Sequence, residues 1–175
     1  MTRPMVMGLG NPDRGDDGIA FQVVNRLRRR LGSRPLSDGE TGLGGTETEA
    51  ALLFVRQLMP ELVLDVDGCS RLIFVDAHVP AEPRAIVCAR IRPEARPAAG
   101  LTHALPPEGF LWLLQALAGR SPESFLVSLR GERFDFTRSL SPAAAALVAP
   151  AAGIILSLIR PNDRQRLCTD HPREV

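Results

Sequence analysis

The sequence predicts an α/β fold. It implies a single three-layer domain in which a mainly parallel, twisted sheet of about five strands carries helices on both faces. Three observations predict it. Strand-like apolar runs alternate with helix-spaced stretches along most of the 175 residues, the pattern of βαβ units. One run, Leu72 to Val75, is wholly apolar and ends on Asp76, as suits a central parallel strand covered on both faces. The chain is also long enough to bury two helix–sheet interfaces.

The elements follow in order. Pro4 to Leu9 is the first strand, and Gly10 to Gly15 a loop. A helix runs from about Asp16 to Leu31, with Ile19, Ala20, Val23, Val24, Leu27 and Leu31 at helical spacing. Arg26, Arg28, Arg29 and Arg30 sit at its end, where cations favour the helix dipole, and Gly32 stops it. Ser33 to Glu49 is rich in Gly, Ser and Thr and reads as a long loop of the kind that often carries function. Ala51 to Arg56 is the second strand, and Pro60 opens a short helix ending near Gly68. After the Leu72–Asp76 strand come a strand at Ala85 to Ile91, a Pro/Ala-rich loop at 93–103, a helix at Pro106 to Ala118 closed by Gly119, and a last strand at Ser124 to Leu129. Ser141 and Pro142 form an N-cap and first-turn pair for the final helix, in which Pro150 is expected to produce a kink. Residues 1–160 make the domain and 161–175 a polar tail expected to fray.

Composition narrows the function. Apolar residues are 45% and charged residues 23% of the chain, which is ordinary globular usage. The formal net charge is +1, so no surface suited to nucleic acid is expected. No lysine is present, which excludes a Schiff base or a P-loop. Cys69, Cys88 and Cys168 are odd in number and form no C-x-x-C. They fit no disulfide framework, and a reducing cytoplasm is the simplest setting. Pro142 to Ile159 is long and apolar enough to be weighed as a membrane span. Its alanine content, with Pro150 and Gly153, favours a buried helix instead.

Chemistry concentrates at three places. Asp16 and Asp17 stand where the first loop enters the first helix, Asp76 at the carboxyl end of a buried strand, and His103 in the loop before the third helix. Ligands of open α/β sheets gather at the carboxyl ends of the strands, so all three are expected to converge there. Each has a plainer reading alone: Asp16 as a helix cap, Asp76 as a loop-bonding acid, His103 as an incidental loop residue. Together, two carboxylates and an imidazole make a mixed O/O/N set for a borderline divalent ion such as nickel or zinc. No residue offers a good covalent nucleophile. Cys69 and Cys88 read as core packing, and Ser37, Ser70 and Ser141 lack a G-x-S-x-G setting, which leaves water to attack. His78 reads as a loop residue facing solvent or lining the cleft.

The run Gly8-Leu9-Gly10-Asn11-Pro12-Asp13-Arg14-Gly15-Asp16-Asp17-Gly18 resembles the N-terminal signature of the maturation proteases of nickel–iron hydrogenases. That signature is a Gly-x-Gly-Asn turn with an acidic pair and glycine at the helix start. Arg71 to Ala77 is similar to the family's second metal-bearing strand, and Thr102-His103 followed by Pro106 to its histidine loop. Leu126-Val127-Ser128 and Leu140-Ser141-Pro142 resemble its last strand and final helix start. The resemblance spans Pro4 to about Ile159 and implies a phosphorylase/hydrolase-like domain. By position it puts the nickel-binding residues on Asp17, Asp76 and His103, with Asp16 as candidate general base. It further implies a cytoplasmic, monomeric endopeptidase of the aspartyl type, with no membrane association. That enzyme would remove the C-terminal extension of a hydrogenase large-subunit precursor after nickel insertion. The nickel is carried by the precursor, and zinc or another divalent ion could substitute.

Two departures stand out. Ala20 replaces a glycine of many members, and their Asp-Gly-Gly-Thr loop after the second strand is absent. Gln57 to Leu62 is there instead, which looks like the branch serving soluble, NAD-reducing-type hydrogenases. Gly44-Gly45-Thr46 precedes the strand rather than following it.

Three rival readings stand beside this one. Gly8 to Pro12 also resembles the start of peptidyl-tRNA hydrolases, but the Thr-Arg-His-Asn run bearing their catalytic histidine is missing. Gly8, Gly10 and Gly15 imitate a dinucleotide fingerprint poorly, and two acids at the helix start would repel a pyrophosphate. A non-catalytic chaperone for the same precursor is the third.

Overall fold

The computed structural model describes residues 3–45, 49–66, 68–94, 105–160 and 169–170. Its elements are β1 (Met5–Leu9), α1 (Ile19–Arg30), β2 (Ala51–Val55), α2 (Val63–Val66), β3 (Arg71–His78), β4 (Ile86–Ile91), α3 (Pro107–Ala118), β5 (Glu123–Arg130), α4 (Pro142–Ile159) and β6 (Thr169–Asp170). Short 3-10 turns precede α1, at Gly15–Gly18, and α2, at Pro60–Leu62.

The strands form one sheet in the order β2-β1-β3-β5-β4-β6. β2, β1, β3 and β5 run parallel, whereas β4 is antiparallel to β5. The reversal has a simple cause. Only residues 79–85 join β3 to β4, and a crossover to a parallel strand needs about a dozen residues. A two-residue sixth strand adds to the five expected. Thr169–Asp170, from the segment read as a frayed tail, pairs with β4 through Ala89 and Arg90.

Alternation along the strands sends side chains to two faces. One face packs Val6, Leu52, Ile73, Val75 and Val127 against α1 and α4; the other packs Met7, Leu53, Leu72 and Phe74 against α2 and α3. Burial of these aliphatic and aromatic side chains, each worth about 1.5–3 kcal/mol, is the main stabilising term. Helix α4 is long and apolar enough to cross a membrane, but Ala144, Ala151, Ala152 and Ile155 are fully buried with α1 in the core. It continues through Pro150. Its N-cap is as expected: the Ser141 side chain accepts from the Ala144 amide at 3.1 Å.

Two arginines do more than the sequence suggested. Arg28, expected merely to favour the helix dipole, is buried, and its guanidinium donates to Arg34 O at 2.8 Å and Leu52 O at 3.1 Å. It ties the long loop and β2 to α1. Arg71, buried at the start of β3, donates to Glu123 Oε2 at 3.0 and 2.6 Å and to Leu158 O, joining β3, β5 and the end of α4. The reading of the cysteines is corrected in part. Cys69 is a buried thiol, but Cys88 on β4 is disulfide-bonded.

Candidate active site

The sheet order creates the site. The chain leaves β1 for β2 on one side and returns to β3 on the other, so β1 and β3 flank the topological switch point. There the connections diverge to opposite faces and leave a crevice beyond the strand ends. Asp17 lies in the turn that follows β1, and Asp76 near the end of β3. The two carboxylates act on each other across this crevice.

Asp17 is placed by the glycine turn. Gly10 has φ +129°, and a Cβ there would lie 2.1 Å from the Asp17 carbonyl oxygen. Only glycine lets the chain fold back so closely. The turn brings the Asn11 amide within 2.8 Å of Asp17 Oδ2, to which it donates. Asn11 Oδ1 in turn accepts from the Asp13 amide at 3.0 Å and from Arg56 NH1 at 2.6 Å. Gly8 serves a second close approach, since a Cβ there would meet Val24 at 2.8 Å and push α1 off the strand.

Asp76 points to the α3 face, in phase with Leu72 and Phe74. Burial raises its pKa from the ordinary carboxylate value to about 6. The Ala77 amide, donating to Oδ1 at 2.8 Å, opposes the rise, and the negative charge of Asp17 adds to it. Neither acid has a cationic partner among the described residues. Two such carboxylates form a field that a divalent cation would relieve.

Asp16, the candidate base, has a different position. It is fully buried. Its Oδ2 accepts from the amides of Glu132 (2.7 Å) and Arg133 (3.0 Å) and from Ser141 Oγ (2.8 Å), and its Oδ1 from the Ser141 amide (2.6 Å). Burial pushes its pKa up, but the four bonds outweigh burial and hold it below the ordinary value. The reading as general base is therefore corrected: a fully bonded, acidified carboxylate out of reach of water is a poor proton acceptor. Asp16 does not cap its own helix either. It fixes the segment between β5 and α4 against the first turn, where Gly15 N also donates to Thr137 O at 2.6 Å and Asp16 N to Arg133 O at 2.8 Å.

His78 is the last residue of β3 rather than a loop residue. Its Nδ1 lies 2.7 Å from Ser128 Oγ and its Nε2 3.0 Å from Arg84 O. A carbonyl only accepts, so Nε2 bears a proton and donates to Arg84 O, while Nδ1 shares a hydrogen bond with Ser128 Oγ. Ser128 is the register partner of Asp76. The ring is thus occupied in bracing the β3 and β5 ends. His103 lies outside the described residues. The segment that follows it is anchored where Leu105 bridges to Leu58, just past the carboxyl end of β2. Among the described residues no group of three His, Cys, Asp or Glu is placed to hold a metal.

The sequence reading missed Asn11, Ser128 and the arginines that meet the first loop. Asp13 accepts from Arg56 at 2.9 Å and Arg138 at 2.8 Å, and Arg138 also pairs with Asp38. The Asn-Pro-Asp run was a signal for a side-chain-bonded turn, but its partners lie far along the chain.

A mainly parallel sheet with two acids at its switch point defines an open-sheet α/β domain. No family model and no curated relative matches the sequence, but solved structures match the fold. The nickel–iron hydrogenase maturation protease HybD from Thermococcus kodakarensis superposes with TM-score 0.61 at 19% identity, covering 91% of this chain and 100% of that one. The hydrogenase maturating endopeptidase HybD from E. coli gives 0.63 at 22%, covering 90% and 92%. An endopeptidase from Escherichia coli gives 0.64 at 21%, covering 91% and 93%. This chain has the fold of the hydrogenase-maturation endopeptidases.

Proposed function

We propose that this chain is a hydrogenase-maturation endopeptidase, which removes the C-terminal extension of a nickel–iron hydrogenase large-subunit precursor after nickel has been inserted. The observation that carries the reading is the Asp17–Asp76 pair. It lies at the switch point, is mutually repulsive, and lacks a cation partner among the described residues. The fold shared with named maturation endopeptidases over about nine-tenths of the chain supports it.

In this reading Asp17, Asp76 and His103 engage the nickel borne by the precursor, with zinc or another divalent ion as a substitute. The donor set fits a borderline cation. Asp76, desolvated and beside a second negative charge, gains most from a positive partner. Asn11 holds Asp17, and the Ala77 amide holds Asp76. Water then adds to the scissile carbonyl, the C–N bond breaks, and a carboxylate and an amine leave, chemistry that a nearby metal promotes by polarising the carbonyl. The burial of Cys69 and the disulfide at Cys88 favour water over a thiol nucleophile. The reading includes a monomer acting in the cytoplasm, a setting that the Cys88 disulfide does not favour. The soluble, NAD-reducing-type branch rests only on Gln57 to Leu62.

Incubating the protein with nickel-loaded precursor tests this directly. Shortening of the large subunit is expected, and its loss in Asp17→Asn and His103→Ala. Prolonged incubation with an unshortened but bound precursor would instead indicate a chaperone. Full processing by both variants would refute the site.

A further inference from the structure

Beside the acid pair, over the end of the neighbouring strand β2, lies a cavity of about 540 Å³. Phe21, Phe54, Met59 and Leu62 give it an apolar floor, with Phe21 and Phe54 edge to face at 5.0 Å between centroids. Its rim is charged. Asp13, Asp38, Glu40 and Glu61 face two arginines, Arg56 and Arg138. Most of these charges are already matched. Asp13 takes both arginines, Asp38 takes Arg138, and Glu40 takes Arg34. Glu61 has no cationic partner among the described residues, so the rim carries an unmatched negative charge beside an apolar hole.

One residue joins this cavity to the acid pair. The Asn11 amide holds Asp17, and its side-chain oxygen holds Arg56 on the rim. We infer that the cavity is the anchor subsite for the substrate polypeptide, taking an apolar side chain whose chain neighbour is a lysine or arginine paired with Glu61. This rests on the peptidase reading, which makes the occupant a polypeptide. Shape and charge specify the rest: the floor accepts hydrocarbon, and the unmatched acid selects for a cation and against an acid.

The sheet also sets the spacing. β2 and β3 stand two strands apart, or about 10 Å at roughly 4.8 Å per strand. An extended peptide crossing the strand ends covers that in about three residues. The anchor therefore lies about three residues from the bond held over Asp76, and a precursor shortened or lengthened between the two points is cut poorly.

The test is an NMR titration of the full-length, ¹⁵N-labelled protein with three blocked peptides: Ala-Leu-Arg-Ala, Ala-Asp-Arg-Ala and Ala-Leu-Glu-Ala. Saturable shifts at the Gly39, Thr41 and Gln57 amides are expected with the first peptide, and binding at least about tenfold weaker with the other two. Glu61→Gln should erase the preference for Arg over Glu. Leu62→Asp, at a half-buried position of the floor, should abolish binding while leaving the rest of the spectrum unchanged. In the processing assay it should raise KM for nickel-loaded precursor about tenfold or more with kcat unchanged. Equal binding of all three peptides, shifts confined to other surfaces, or unaltered KM in Leu62→Asp would overturn the assignment. Failure of the wild-type protein to shorten precursor, with peptide selectivity intact, would instead sink the peptidase reading and leave the cavity a peptide site.

Discussion

Asp16 and Ser141 hold each other by two bonds, although 125 residues separate them: the Ser141 amide donates to Oδ1 at 2.6 Å, and its hydroxyl to Oδ2 at 2.8 Å. The same hydroxyl accepts from the Ala144 amide at 3.1 Å, capping α4. One buried carboxylate thus fixes the start of the last helix, the segment before it, and the turn that presents Asp17.

Asp16→Asn should therefore destabilise the protein without directly touching the chemistry. An amide nitrogen in place of Oδ2 leaves the Glu132 and Arg133 amides facing a donor, at about 1–3 kcal/mol each. Urea denaturation is expected to show a loss of roughly 2–5 kcal/mol near neutral pH. Because the folded pKa is held below the ordinary value of 3.8, the wild-type advantage is present above that value. It falls away in acid as the folded carboxylate takes up its proton. A variant as stable as wild type near pH 7 would refute this role.

How much of this was legible depended on distance along the chain. Strand and helix periodicity disclosed β1 to β5 and both helix layers, because alternation and 3.6-residue spacing are local. The Ser141-Pro142 cap was equally local. Thr169–Asp170 was not legible, since two residues carry no period. Asp16 looked like a cap or a base because its donors at Glu132, Arg133 and Ser141 are more than 110 residues away. Asp17 and Asp76 could be nominated from their places at strand ends. That they share the switch point followed only from the strand order.

Asp76→Asn should have the opposite effect on stability. A carboxylate whose folded pKa is raised from 3.8 to about 6 binds its proton more tightly when folded. Stability is then full below about pH 4 and declines as pH rises toward 6. The rise corresponds to about 3 kcal/mol at most. Asn keeps an acceptor for the Ala77 amide and carries no charge. Denaturation at about pH 4 and pH 8 is expected to show no difference at the first and a gain of up to about 3 kcal/mol at the second. Processing should be lost in the same variant, separating stability from function. No gain at the higher pH would mean that Asp76 is not under electrostatic strain.

Gly10→Ala tests the turn. At φ +129° a Cβ would sit 2.1 Å from the Asp17 backbone oxygen. Backbone cannot swing aside as a flexible side chain can, so the turn must open. A loss of roughly 3 kcal/mol or more is expected from strain alone, with processing abolished even where the variant folds. Retention of activity would show that the close approach does not place Asp17.

Arg28→Lys tests the wall of the cavity. The Arg28 fork serves Arg34 O and Leu52 O at once, at 2.8 and 3.1 Å, and reaches them from α1 along a buried path. A single ammonium cannot occupy both donor positions, so at least one of the two carbonyls loses its donor, at about 1–3 kcal/mol where it is the buried Leu52 O. The consequence is local, because Arg34 begins the loop whose residues Asp38 to Thr41 line the cavity. Hydrogen exchange should quicken at amides 36–43 by tenfold or more while β3 and β5 stay protected. Since Asp17 is held by Asn11 and not by this loop, kcat should survive while KM rises. Uniformly faster exchange across the sheet would mean that Arg28 stabilises the whole domain rather than this wall.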